Sequence, residues 1–286
     1  TFVLAATNTY GRALAYASAE LLAKKDFVLA CVLKDPYALE YAGEWRADND
    51  VVSAGISNIA TVLEYADDSF RSNPETLLSL VQKDACALQY ASDEVKRNRK
   101  VVLAAAKTHG IATQFMHAAL SEDREIIEAA VKTHPVALTY ASSVLRADEE
   151  FIRKLINTSG QGKLLQHTDK KLRNNEKVVM DAVRHYGSAI RWVDETIPEY
   201  AKIALEAVKQ DGRALEHLKN GLQNNIDIVT AALKNNFRAY QYVHKDLHHD
   251  PALTQIIEDS PDCELLDLWR YQVGKKFRAL AKHRKS

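Results

Sequence analysis

Ten histidines and a recurring aromatic side chain are the groups in this 286-residue chain best suited to chemistry. His244 and His248 are spaced i, i+4, and one turn of helix would set both imidazoles on the same face, as zinc binding requires. His249 and Asp250 follow, but Asp250 is better used as a helix cap, and no H-E-x-x-H frame surrounds the pair, so a solvated turn is the preferred reading. His109 and His134 lie 25 residues apart at equivalent places in neighbouring repeats, where stacking could bring them close enough to share an ion. Tyr10, Asp35, Asp84 and Asp211 fill the same place elsewhere, which reads as a polar turn. Neither pair is expected to hold a metal, and no cofactor is expected. There is no G-x-S-x-G, no G-x-x-x-x-G-K-[ST] and no paired C-x-x-C, and the G-Q-G at 160–162 lacks the strand a phosphate loop needs. No catalytic residue is expected, although a site assembled across repeats, His109 with His134 for example, stands as the enzymatic alternative.

The aromatic series is longer: Tyr16, Tyr41, Tyr65, Tyr90, Phe115, Tyr140, His167, Trp192, His217 and Tyr242. Such a ladder could stack nucleic-acid bases. Its place beside a recurring Ala and Leu favours packing, with each Tyr hydroxyl reaching the rim. One residue before it runs a polar stripe: Glu40, Glu64, Gln89, Gln114, Thr139, Gln166, Arg191, Glu216 and Gln241. These nine are the candidate partner-binding residues. Arg46, Arg71, Lys96, Arg146 and Arg173 recur further on, where a cation complements a helix C-terminus; a phosphate track is the rival reading. At the end of the chain Lys275, Lys276, Arg278, Lys282, Arg284 and Lys285 form a basic tail that could meet an acidic partner, RNA or a lipid surface.

All these residues sit in one repeat, anchored on the Leu of A-L-x-Y-A at Leu14, Leu39, Leu63, Leu88 and Leu138. Weaker copies fall at Thr113, Leu165, Ile190, Leu215, Tyr240 and Leu265, in steps of about 25 residues. An apolar pair stands twelve residues before the anchor (Val101-Val102, Ile126-Ile127, Val178-Val179, Ile228-Val229), and a small residue with an aliphatic neighbour follows four later (Ala130-Val131, Ala182-Val183, Ala207-Val208, Ala232-Leu233). That spacing is one apolar helix face, and the Ala lets another backbone approach. A Gly, Pro or small breaker lies three before the anchor: Gly11, Pro36, Ala85, Gly110, Pro135, Gly187, Gly212. Asp48, Asn73, Asn98, Asp123, Asp148, Asn175, Asn225 and Asp250 stand where N-caps belong, three before the apolar pair.

Each unit therefore reads as two helices of roughly 8–11 residues, too short to bury their own faces alone. The predicted fold is all-α, an α-solenoid superhelix of about eleven 25-residue helix-turn-helix repeats over residues 1–262, with residues 263–286 as a capping helix and basic tail. The insertion at Ser159–Gly162 is the expected joint. Lys+Arg and Asp+Glu both number 38, which argues against a generic nucleic-acid or anionic-membrane partner. No apolar run approaches the ~18 residues of a membrane span. Three scattered cysteines (Cys31, Cys86, Cys263) fit a reducing compartment. The opening Thr1-Phe2-Val3, inside the first helix of a unit, suggests a fragment of a longer protein or a processed form.

Asp123 to Arg146, D-R-E-I-I-E-A-A-V-K-T-H-P-V-A-L-T-Y-A-S-S-V-L-R, resembles the repeat of the domain-of-unknown-function family numbered 4116, and Asn98–Leu120 and Asn175–Ile197 carry weaker copies. Residues 189–200 depart from the pattern, with Pro198 and Tyr200 where an Arg and an N-cap would stand. Similar repeats occur in effectors that intracellular bacteria of the Legionella type inject into host cells, and in some protists and algae. The resemblance implies a helical interaction module in a cytosol, the bacterium's own or a host's, and hands over no catalytic motif. The function expected is a non-enzymatic scaffold for a protein partner, with a nucleic-acid-binding solenoid and an enzyme as alternatives.

Overall fold

The computed structural model describes residues 10–258 apart from Asn58 and His249. The expected capping helix and basic tail, the eleventh anchor Leu265, Cys263 and the first residues of the chain lie outside the described residues. The chain divides into two compact units, residues 1–146 and 147–286. Among the described residues there is no strand, and both units are all-α repeats of the solenoid kind.

The long helix of each repeat is as the sequence predicts. In the first unit these are Lys25–Lys34, Asn49–Ile56, Pro74–Val81, Arg99–Thr108 and Arg124–Thr133; in the second, Glu149–Ser159, Glu176–His185, Tyr200–Gln210, Ile226–Asn235 and Pro251–Glu258. All eight expected caps accept backbone N–H bonds. Asn98 Oδ1, for example, takes those of Lys100 and Val101 at 3.1 and 3.3 Å, and Asp250 Oδ1 takes those of Ala252 and Leu253 at 2.9 and 3.3 Å. The apolar pairs and the small residues after them are buried: Val101, Val102, Ala105, Ala106, Ile126, Ile127, Ala130 and Val131.

The second helix differs from expectation. The A-L-x-Y-A segment forms a six-residue 3-10 helix, at Gly11–Tyr16, Pro36–Tyr41, Ala60–Tyr65, Ala85–Tyr90, Gly110–Phe115 and Pro135–Tyr140 in the first unit and Gly162–His167, Gly187–Trp192, Gly212–His217 and Phe237–Tyr242 in the second. The reason lies in a spacing of three. With three residues per turn, breaker, anchor and the residue three beyond fall on one line. Ala85, Leu88 and Ala91 are all buried on it, as are Phe237, Tyr240 and Val243. An α-helix would turn that line away from the core by about 60° every three residues. Where the anchor is Thr113, its buried hydroxyl donates to the Gly110 carbonyl at 2.6 Å, an i to i−3 bond suited to this geometry.

A short turn or helix closes most repeats, for example Asp68–Arg71, Asp93–Lys96 and Ala118–Leu120. In the first unit four turns donate a backbone N–H to the turn before them: Asp67 to Arg46 O at 2.9 Å, Ser92 to Arg71 O at 2.9 Å, His117 to Lys96 O at 3.0 Å, Ser142 to Ser121 O at 2.9 Å. The second unit repeats the bond from Asp194 to Arg173 O at 3.2 Å and from His244 to Gln223 O at 2.9 Å. Each unit thus has three layers: long helices, anchor helices and hydrogen-bonded turns.

The breaker glycines serve close approach rather than a left-handed helix end. A Cβ on Gly110 would lie 2.0 Å from the Ala130 carbonyl oxygen, and one on Gly162, Gly187 or Gly212 would lie 2.2, 2.3 and 2.3 Å from those of Ala182, Ala207 and Ala232. The Ala of the long helix and the Gly twenty residues before it are two sides of one contact. The insertion at Ser159–Gly162 does not divide the chain, because the division falls at Arg146/Ala147. The long helix runs to Ser159 and ends on Gly160 in the left-handed conformation (φ 67°), whose N–H bonds Ile156 O at 2.9 Å, so the extra residues are absorbed at a helix end. At the departure from the repeat, Glu199 takes the cap position with φ 61° and no side-chain cap bond, and Tyr200 is buried.

Candidate functional site

The anchor helices place the candidate residues. In the first unit they lie side by side, Pro36–Tyr41 against Ala60–Tyr65, then Ala85–Tyr90, Gly110–Phe115 and Pro135–Tyr140; in the second, Gly162–His167, Gly187–Trp192, Gly212–His217 and Phe237–Tyr242 do the same. With the line of threes turned inward, the residue after the anchor must face out. Glu40, Glu64, Gln89, Gln114 and Thr139 are exposed in the first unit, and Gln166, Arg191, Glu216 and Gln241 in the second.

The aromatic series is not the core that packing alone would make it. Tyr16 is 83% exposed and Tyr41 37%, while Tyr65, Tyr90, Phe115, Tyr140, His167, Trp192, His217 and Tyr242 are half-buried. Two columns therefore share a face, one polar and one aromatic, and they interact. A hydrogen bond to Glu40 holds the Tyr41 hydroxyl above its ordinary pKa. Burial does the same for Tyr90, with Glu64 of the preceding repeat adding to it, and for Tyr242, with Glu216 of the preceding repeat. Burial depresses His167 and His217, helped by Arg173 and Arg191 respectively. Arg191 lies over Trp192, 5.8 Å from the ring centroid.

Three of the recurring cations, Arg46, Arg71 and Arg173, have structural partners. Arg46 Nε donates to the Tyr65 carbonyl, and Arg173 Nη2 donates to the carbonyls of Gln166 and Thr168 at 2.9 and 3.2 Å, closing the C-terminal end of an anchor helix. Arg71 pairs with Asp68. A cleft of about 460 Å³ lies beside Arg46 and Arg71, but Glu44, Asp67 and Asp68 line it as well, which makes it a poor phosphate site.

The histidine pairs behave differently. His244 and His248 do not converge. His244 Nδ1 accepts from the Asp246 N–H at 3.4 Å as the cap of Lys245–Leu247, whereas His248 turns back to the Val243 carbonyl at 2.8 Å and stacks on Tyr240 with ring centroids 5.0 Å apart. His109 and His134 are brought together, ring centroids 4.0 Å apart and planes at 44°. Burial and then His109 hold His134 below the usual imidazole pKa. Asp35, Asp84, Asp211 and Asn236 in this position cap their anchor helices, but His109 and His134 make no cap bond. Among the described residues no group of three or more His, Cys, Asp or Glu side chains could hold a metal ion.

The repeat register that places these columns is also the basis of the comparison with known proteins. A family model described as Domain of unknown function (DUF4116) matches residues 1–46, 24–71, 73–120, 123–161, 148–197 and 202–248. The chain belongs to this family. Most DUF4116 matches span about two of the 25-residue repeats, and the only gap longer than two residues within 1–248 is 198–201, where Pro198, Glu199 and Tyr200 replace the usual cap. No curated protein and no solved structure matches the chain.

Proposed function

We propose that this DUF4116 chain is a non-enzymatic scaffold that binds a protein partner along the polar and aromatic columns of its anchor helices. One observation carries the reading: in each unit the stripe residues, one per repeat and nine in all, are exposed on helices that stack on their neighbours within that unit. Solenoids use such continuous faces for binding because no single repeat offers a pocket. Among the described residues no helix is long and apolar enough to cross a membrane. The same proposal places the chain in a cytosol, its own cell's or a host's, where Cys31 and Cys86 stay reduced.

The test is site-specific photocrosslinking in lysate from Gln89 and from Gln241, compared with a chain in which Glu40, Glu64, Gln114, Gln166 and Glu216 are replaced by lysine. The expected result is a discrete protein adduct that the lysine variant loses. Adducts from neither position, or adducts indifferent to the lysines, reject the reading.

The half-exposed rings favour a second reading, a single-stranded nucleic acid stacked along the aromatic column. Glu40, Glu64 and Glu216 stand beside those rings and oppose phosphate. Salt-sensitive retention of an RNA oligomer, abolished by Tyr65→Ala with Tyr90→Ala, would decide in its favour.

A further inference from the structure

Glu40 and Glu64 differ from several acids on the long helices and at their caps, which are held by cations. Asp48 and Asp50 pair with Lys25, at 2.9 and 2.6 Å, Asp123 and Glu125 with Arg99, at 2.5 Å each, and Asp181 with Arg153 at 2.7 Å. Among the described residues neither Glu40 nor Glu64 forms an ion pair, although both are exposed. They lie instead beside tyrosines: Tyr41 and Tyr65 follow them directly on anchor helices that stack in order toward the one carrying Tyr90. Negative carboxylates next to aromatic faces are the environment a guanidinium or ammonium prefers. The chain already uses it once. The Arg12 guanidinium lies 4.4 Å from the centroid of the Tyr37 ring, held by Asp35 at 3.3 Å, at the opposite end of the first two anchor helices from the tyrosine column.

The spacing narrows the ligand. Stacked helices stand ~8–10 Å apart, so Glu40 and Glu64, on neighbouring anchor helices, repeat at about that interval. A polyproline II helix advances ~3.1 Å per residue with three residues per turn, so side chains at i and i+3 share a face ~9.3 Å apart. A β-strand covers the same distance in three residues but points i and i+3 to opposite sides. Rows of aromatic rings also suit the rigid, left-handed backbone, which loses little entropy on binding.

We propose that the tyrosine row of the first unit binds an extended polyproline-type segment carrying Arg or Lys at every third position, with successive cations seated at Glu40 and Glu64 against Tyr41, Tyr65 and Tyr90. This rests on the scaffold reading and names its partner class. Gln89, Gln114 and Thr139 continue the row as neutral hydrogen-bonding positions, so the cations belong at one end of the segment and uncharged residues at the other.

The test is fluorescence anisotropy on the whole chain with a synthetic proline-rich peptide bearing Arg at every third position. A peptide of the same composition with its arginines clustered, and one with citrulline in their place, serve as controls. Saturable binding is expected, weaker by about tenfold or more for both controls. Glu40→Gln with Glu64→Gln should weaken it similarly, whereas Glu75→Gln with Glu94→Gln, exposed acids elsewhere in the unit, should leave it unchanged. Equal binding of the clustered peptide, an equal loss from Glu75→Gln with Glu94→Gln, or preference for an RNA oligomer overturns the proposal. A protein adduct from Gln89 whose partner segment carries no Arg or Lys within the few residues that would reach Glu64 and Glu40 overturns it too, while the scaffold reading survives; failure of crosslinking from both positions removes the scaffold reading itself.

Discussion

Cap positions show how much one side chain decides here. Asn98, Asp123 and most of their counterparts each satisfy two N–H groups of a first turn, so Asn98→Ala should cost about 1 kcal/mol in denaturant unfolding, with the long-helix content otherwise kept. The anchor helices have caps of their own, and His134 is a poor one. Asp35 accepts from the Tyr37 N–H across Pro36 at 3.1 Å, whereas His134, before Pro135, accepts nothing and leaves Nδ1 buried without a partner. His134→Asn should therefore raise stability by about 1 kcal/mol near neutral pH. It should also change the acid limb. The folded protein holds His134 below 6.5, so the unfolded chain takes up the proton first, and stability is lost as pH falls through 6.5 toward the folded value. His167 and His217 are depressed in the same direction and keep their share. Thermal midpoints at about pH 7.5 and about pH 5.5 should then differ less for His134→Asn than for the parent, an acid-side signature expected of histidine. The cap residues and the meeting of His109 with His134 were legible in the sequence, since both follow from residue type and repeat register. The half-exposure of the aromatic column was not, because it depends on which helix type carries it.

At the scale of the element, a six-residue segment with apolar residues three apart fits either helix type, and only the layer beneath decides. Gly110, Thr113 and Met116 carry the same spacing as Ala85, Leu88 and Ala91 and form the same 3-10 turn, even though Thr113 is polar. The breaker positions could likewise be read as helix ends, but the reason for glycine lies twenty residues ahead, in a carbonyl that no local pattern reports. This yields a contrast. Gly110→Ala would drive a Cβ into the Ala130 carbonyl and should cost about 3 kcal/mol or more. Gly43→Ala meets nothing within 4 Å and should cost only about 1 kcal/mol, from its left-handed φ of 60°. Equal losses in the two variants would refute the close-approach account.

For the whole molecule, stability should be shared between neighbours, because each repeat contacts chiefly the next. Leu88→Ala empties a fully buried site and should cost about 2–5 kcal/mol. Hydrogen exchange should then show protection lost first in residues 85–96 and in the repeats on either side, fading toward the ends of the first unit. A uniform loss across residues 10–146 would instead mean all-or-none unfolding. The sequence foretold a run of equal units from end to end. It carries no mark at Arg146/Ala147, where the contacts divide, since the anchors continue past that point with only a two-residue irregularity. The glycine contact also sets a grammar for lengthening or shortening such a chain. A repeat opening on Gly must be succeeded by one whose long helix offers a carbonyl within reach over a small side chain, as Ala182 follows Gly162 and Ala207 follows Gly187. Duplicating residues 162–186 in tandem obeys that grammar, and recombination that breaks the pairing leaves a junction unable to close, so viable relatives should grow by whole, like-for-like modules.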